Sequence, residues 1–199
     1  MSNENTRHAD HKIEPLFTDR WSPRSFTNEA IPLADLNAMF EAARWAPSSY
    51  NSQPWRFVYT LKGGKGYDTM LSLLNPFNQS WAKEAAALVF VLSKKTMMVP
   101  TSPDPVPSRS HSFDAGAAWA QLALQGTKLG WMSHAMVGLD FDRAAAELHV
   151  PDGYAVEIAI AIGRRGPKEA LPEGMLRDRE VQSGRTPITE LVSEGVFKA

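Results

Sequence analysis

Arg20 and Arg24 stand four residues apart in Arg20-Trp21-Ser22-Pro23-Arg24, with the Ser22 hydroxyl between them. Where the backbone is close to helical, that spacing turns both guanidinium forks the same way. Two forks beside a hydroxyl suit a phosphate monoester, although the same residues also fit a solvated basic turn. Downstream, Pro47-Ser48-Ser49-Tyr50-Asn51-Ser52-Gln53-Pro54 crowds hydroxyl and amide side chains between prolines. Such groups both donate and accept hydrogen bonds. They fit a polyol chain or the edge of a heteroaromatic ring, or a plain turn in which Ser48 caps a helix. Gly138 follows an apolar stretch. It either brings a backbone N–H close to a ligand or simply turns the chain from strand to helix.

The remaining candidates carry less. His8 and His11 share an H-x-x-H spacing but have no carboxylate support, so no metal is expected. His134 lies in an apolar stretch and reads as a satisfied core histidine. Gly63, Gly64 and Gly66 lack the strand, helix and acidic partner of a dinucleotide-binding fingerprint. No P-loop and no G-x-S-x-G elbow is present.

These segments need elements to hold them. Pro32 opens a helix whose Leu33, Leu36, Met39, Phe40 and Ala43 recur at helical spacing, and Pro47 stops it. Residues 56–61 read as a strand and 63–66 as a turn. Helices are expected over 65–74 and 80–86. Residues 87–93 (ALVFVLS) are an unbroken apolar run of strand length, hence a buried central strand. Residues 94–112 hold Pro100, Pro103, Pro105 and Pro107 and read as a long irregular loop of the kind used as a lid. A helix rich in small residues is expected over 113–129, suited to close approach of another backbone. An extended piece over 131–137, a helix over 143–149 and a strand over 154–163 follow. The tail from 164 is charged and extended, with a last strand or arm at 186–192.

Composition bounds the rest. The chain has 199 residues, enough for one domain with a real core. It contains no cysteine, which excludes a disulfide scaffold, thiolate metal sites and a cysteine nucleophile. A net charge of −1 gives no field for gripping nucleic acid, so no nucleic-acid partner is expected. No apolar run is long enough for a membrane span and the first twelve residues are polar, so a cytoplasmic protein is the expectation.

Together the segments resemble the nitroreductase family of flavin enzymes. The resemblance rests on residues 20–26 (RWSPRSF), on 46–57 (APSSYNSQPWRF), on Leu129-Gly130 leading to Met136-Val137-Gly138-Leu139-Asp140, and on Arg185-Thr186-Pro187. Their order and spacing match over nearly the whole chain after residue 13. The resemblance implies an α+β fold, with a mixed central β-sheet surrounded by helices, in an intertwined homodimer with FMN at the interface. Residues 13–199 would form that single FMN-binding domain and residues 1–12 a flexible arm. It further implies that Arg20 and Arg24 hold the FMN phosphate, with Trp21 and Ser22 beside the flavin. Pro47, Ser48, Ser49, Asn51 and Gln53 would reach the FMN bound mainly by the other chain. Val137 and Gly138 would lie at the flavin N5 edge, where Val137 offers only backbone groups. Arg185 would complete the phosphate site, with Arg179 as the alternative. The implied activity is an FMN-dependent NAD(P)H oxidoreductase that reduces nitroaromatics, quinones or similar flat acceptors by a ping-pong hydride mechanism. NADH or NADPH would be the donor, and no catalytic side chain is required because the chemistry belongs to the FMN. The alternative is a flavin-binding protein for storage, sensing or flavin handling with little turnover.

Overall fold

Strand β2 (Ala87–Lys94) lies at the centre of the chain's sheet, and its first seven residues are buried. The computed structural model describes residues 6–197; residues 1–5 of the expected N-terminal arm lie outside the described residues. Helix α1 (Pro15–Asp19) and helix α2 (Leu33–Arg44) come first. A single 3-10 turn at Ser49–Asn51 then leads into β1 (Trp55–Leu61). Helices α3 (Tyr67–Ser72) and α4 (Pro76–Ala82) precede β2. A small hairpin, β3 (Thr96–Met97) with β4 (Val106–Pro107), precedes the long helix α5 (His111–Lys128). Strand β5 (Met132–Met136), helix α6 (Phe141–Glu147) and strand β6 (Tyr154–Gly163) follow. Short helices α7 (Met175–Asp178) and α8 (Ile188–Leu191) lie in the tail.

The sheet runs β1-β2-β6-β5, and each of its pairings is antiparallel. The α+β architecture is therefore the expected one, with an antiparallel rather than a mixed sheet inside the chain. Strand alternation divides the core in two. Val89, Val91, Ile160 and Ile162 face α2 and α5 with Leu36, Met39, Leu122 and Trp131. Leu88, Phe90, Ala159 and Ala161 face the other side with Met70, Leu73, Trp81 and Ala144. The result is a sheet covered on both faces, which is why β2 reads as a continuous apolar run rather than an alternating one. Among the described residues, no helix is long and apolar enough to cross a membrane.

Several elements depart from expectation for local reasons. The helix expected over 80–86 spans Pro76–Ala82 instead. Asn75 caps it by accepting the Asn78 N–H at 2.8 Å, and Pro76 occupies its first turn. The helix expected at 143–149 starts at Phe141, because Asp140 accepts the Arg143 N–H at 3.0 Å. Residues 188–191 form a helical turn, not a strand. The 94–112 segment is organised by its hairpin and by a polar anchor at its end. Glu157 sits where the β2–β6 register shifts, and its carboxylate gathers the Ser93 and Ser112 hydroxyls beside His111. A bulge of this kind re-aims a side chain; here it directs a carboxylate to the foot of α5.

Small residues of α5 serve the chain's own packing. Ala115, Ala118, Ala123 and Gly126 are buried. A Cβ on Gly126 would come within 2.6 Å of Met39 Cε on α2. The other side of α5 exposes Phe113, Gly116 and Ala120.

Candidate functional site

Residues 20–26 follow α1 as an extended segment; Arg20 has φ −66° and ψ 122°. The helical geometry that would align Arg20 with Arg24 is absent, and the two guanidinium groups have different neighbours. Arg20 Nη1 lies 3.4 Å from Ser22 Oγ. Burial, and then repulsion from Arg185, lowers the basicity of Arg20. Burial, then Arg185 and Arg20, does the same to Arg7. Three arginines thus converge: one from the N-terminal arm, one from the turn after α1 and one from the C-terminal tail. Arg7 is tied in place by donating to the carbonyls of Thr18 at 3.1 Å and Arg20 at 2.7 Å. Among the described residues neither Arg20 nor Arg185 enters an ion pair. Arg20 and Arg185, two such cations held close together, offer a site for an anion.

Arg24 points toward the tail, where it donates to the Arg179 carbonyl at 3.4 Å. Its Nε is buried and has no hydrogen-bond partner among the described residues. Arg179 therefore accompanies Arg24, while Arg185 accompanies Arg20. Trp21 is buried under the turn with the Arg165 guanidinium 4.8 Å above its ring, so its side chain serves packing.

The turn is held from below. Phe26 forms a bridge with Arg165, and the Ser25 carbonyl accepts the Gly166 N–H at 2.8 Å. His134 on β5 lies 4.6 Å from the Trp81 ring and places Nδ1 3.0 Å from the Pro23 carbonyl, so Nδ1 carries the proton. Burial is the largest influence on this imidazole, and its pKa is pushed down to about 4. It is neutral at pH 7. Between pH 6.5 and about 4 the unfolded chain takes up a proton that the folded chain refuses. Stability therefore falls as the pH drops through that window, by up to about 3 kcal/mol, less where water reaches the half-buried ring. We expect His134→Gln to narrow the difference between urea midpoints at pH 7 and pH 4.5; an unchanged difference assigns the acid sensitivity elsewhere.

The serine-rich loop is strained. Tyr50, Asn51 and Gln53 adopt φ of 51°, 51° and 46°. Non-glycine residues in that region cost of order 1–3 kcal/mol each unless their surroundings fix them. Here the Ser48 hydroxyl accepts the Gln53 N–H at 3.0 Å, and the buried Asp114 carboxylate on α5 accepts the Ser49 N–H at 3.2 Å. Pro47, Tyr50, Asn51 and Gln53 are exposed while Ser48 and Ser49 are half-buried. Among the described residues, the hydrogen bonds of 47–53 run within the loop, to Arg56 or to Asp114, and not to the arginine turn.

Gly138 is required by close approach. A Cβ there would lie 2.4 Å from Asn75 Nδ2 and 2.6 Å from Asn78 Nδ2. Its carbonyl accepts the Asn75 N–H at 2.9 Å and Asn78 Nδ2 at 3.0 Å. Val137 beside it is 71% exposed and faces outward. Asn75 and Asn78 were not singled out in the sequence; the signal was the Asn-Pro start of α4. Arg7 gave no such signal. A cavity of about 640 Å³ between the N-terminal arm and the tail is lined by Arg7, His8, His11, Phe17, Arg185 and Leu191.

An α+β protein with a two-faced core and an arginine cluster shared by both ends of the chain is the class these features define. A Nitroreductase family model matches residues 17–73. A solved structure described as an oxidoreductase containing FMN is 43% identical, covers 100% of this chain and 99% of its own, and superposes with a TM-score of 0.93. A 15.4 kDa protein of Mycolicibacterium smegmatis is 33% identical over 137 residues, 63% of this chain and 88% of its own length. The oxygen-insensitive NADPH nitroreductase of Helicobacter pylori strain J99 is 35% identical over 96 residues, 47% of this chain and 45% of that enzyme. The chain belongs to the nitroreductase family.

Proposed function

We propose that this chain is an FMN-dependent NAD(P)H oxidoreductase that works as a homodimer and reduces flat acceptors such as nitroaromatics or quinones. The convergence of Arg7, Arg20 and Arg185 carries the reading. A phosphate monoester dianion is the group such a donor set fits, and FMN ends in one. The full-length relative described as containing FMN supports the same cofactor. When bound, the flavin supplies the two-electron chemistry between nicotinamide and acceptor.

The chain's residues bind and orient. Arg20 and Arg185 with the Ser22 hydroxyl hold the phosphate, and Arg7 adds charge from the arm. The Asn75–Asn78–Gly138 cluster fixes a stretch of backbone that would offer its polar groups to the flavin, and Val137 adds no charge there. His134 is neutral and engaged with Pro23, so it is no proton donor at pH 7. The loop 47–53, which among the described residues makes no hydrogen bond to its own arginine turn, completes the site of a second chain. Phe113, Gly116 and Ala120 on α5, with Leu191, Val192, Val196 and Phe197 in the tail, offer apolar surface for that dimer.

The test is an absorbance spectrum followed by kinetics. Purified protein is expected to arrive yellow or to take up FMN. It is expected to oxidise NADH or NADPH only when a nitroaromatic or quinone is present, with parallel double-reciprocal lines. Protein that takes up no flavin overturns the reading. FMN-replete protein without acceptor-dependent turnover points instead to flavin storage or handling. A monomer that retains flavin in light scattering contradicts the shared site.

A further inference from the structure

The backbone of the arginine turn is held by one buried charge from the far end of the chain. Glu180, 3% exposed, follows α7 in the tail. Its Oε2 accepts the Arg24 N–H at 2.8 Å, and its Oε1 lies 3.1 Å from the N–H groups of both Arg24 and Ser25. A buried carboxylate is costly unless hydrogen bonds and an opposite charge compensate it. Here the two amides and the nearby Arg24 guanidinium do so. Pro23, the residue before these amides, has no N–H of its own and gives its carbonyl to His134. The segment carrying Glu180 also carries Arg179 and, five residues on, Arg185.

We propose that Glu180 is a positioning residue: by gripping the amides of Arg24 and Ser25 it registers the tail against the turn, so that Arg185 and Arg20 converge on one phosphate. The role rests on the flavin reading above and adds to it the group that builds the phosphate site. A neutral amide at position 180 retains the side chain's size but loses one acceptor and the charge. The turn and tail then separate or shift, and the affinity lost is the phosphate's share alone.

Comparison of FMN with riboflavin, which lacks the phosphate, isolates that share. Full-length protein freed of flavin is titrated with each, following flavin fluorescence. Wild type is expected to prefer FMN. E180Q is expected to lose at least tenfold in FMN affinity while binding riboflavin as before, and E180D, which keeps the carboxylate one methylene shorter, is expected to fall between. A wild type that binds neither flavin overturns the function and this role with it. A wild type selective for FMN, with E180Q equally selective, overturns the role of Glu180 alone. So does an equal loss for both flavins, which marks a general structural effect. If E180Q does not fold, E180D decides: an FMN preference equal to wild type overturns the proposal.

Discussion

The double variant Arg20→Ala/Arg185→Ala is expected to purify colourless and to bind FMN at least 100-fold more weakly than the parent. In the proposed site, each guanidinium removed would take away charge-assisted hydrogen bonds to the phosphate, worth roughly 1.5–3 kcal/mol each. Two of them amount to about 3–6 kcal/mol, or two to four orders of magnitude in Kd. Arg7 remains and keeps some attraction, so binding weakens rather than vanishes. The fold has little to lose. Arg20's side chain makes a long contact with Ser22, and Arg185's donates to Ser183 and Gly184 in the exposed tail. The Arg20 carbonyl that accepts from Arg7 survives truncation to alanine. Thermal melts of the flavin-free proteins should therefore nearly coincide. A double variant that stays yellow with normal flavin content removes the phosphate assignment. Arg24→Ala separates the two arginines of the motif: its effect should be smaller than that of Arg20→Ala if Arg24 acts through Glu180 and the tail.

Local signals in the chain announced most of the framework. Pro32 and the Leu36–Met39–Ala43 spacing placed α2, and the 87–93 run placed β2, because helical period and full burial both leave direct marks in residue order. The start of α4 was missed because its signal is a single cap, Asn75-Pro76, outweighed by the apolar residues further on. The site was legible only in part, for a similar reason. Arg20, Ser22, Arg24 and Gly138 sit in compact motifs; Gly138 packs against Asn75 and Asn78 at the start of α4, and the turn that carries the arginines meets β5 through His134. Arg7, Glu180 and His134 join that turn through contacts spanning 13, 156 and 111 residues. No short window contains such pairs, so only the folded chain reveals them. The spacing of Arg20 and Arg24 suggested aligned forks; the extended backbone around Pro23 instead sends them to different partners.

The core beneath the turn should be the most sensitive place for both stability and binding. Trp81 on α4 is 1% exposed, touches the His134 ring at 4.6 Å and faces the Phe26 ring at 6.2 Å. Trp81→Ala opens a large cavity under the segment that carries Arg20 and Arg24. Such truncations cost about 3–5 kcal/mol, which lowers the melting temperature of a chain this long by on the order of 10 °C. Trp81→Phe should cost much less, because Nε1 has no hydrogen-bond partner among the described residues and the ring's apolar bulk is largely retained. Melts are compared without flavin, so that lost ligand stabilisation does not enter. A control on the opposite face separates stability from positioning. Leu122→Ala on α5 removes a side chain that is 0% exposed in the other cluster and should cost about 2–5 kcal/mol. Both variants lose stability, but only Trp81→Ala is expected to weaken FMN binding by tenfold or more at a temperature where each is fully folded. If Leu122→Ala weakens FMN as much, the arginine turn is supported by the whole sheet rather than by the Trp81–His134–Phe26 stack.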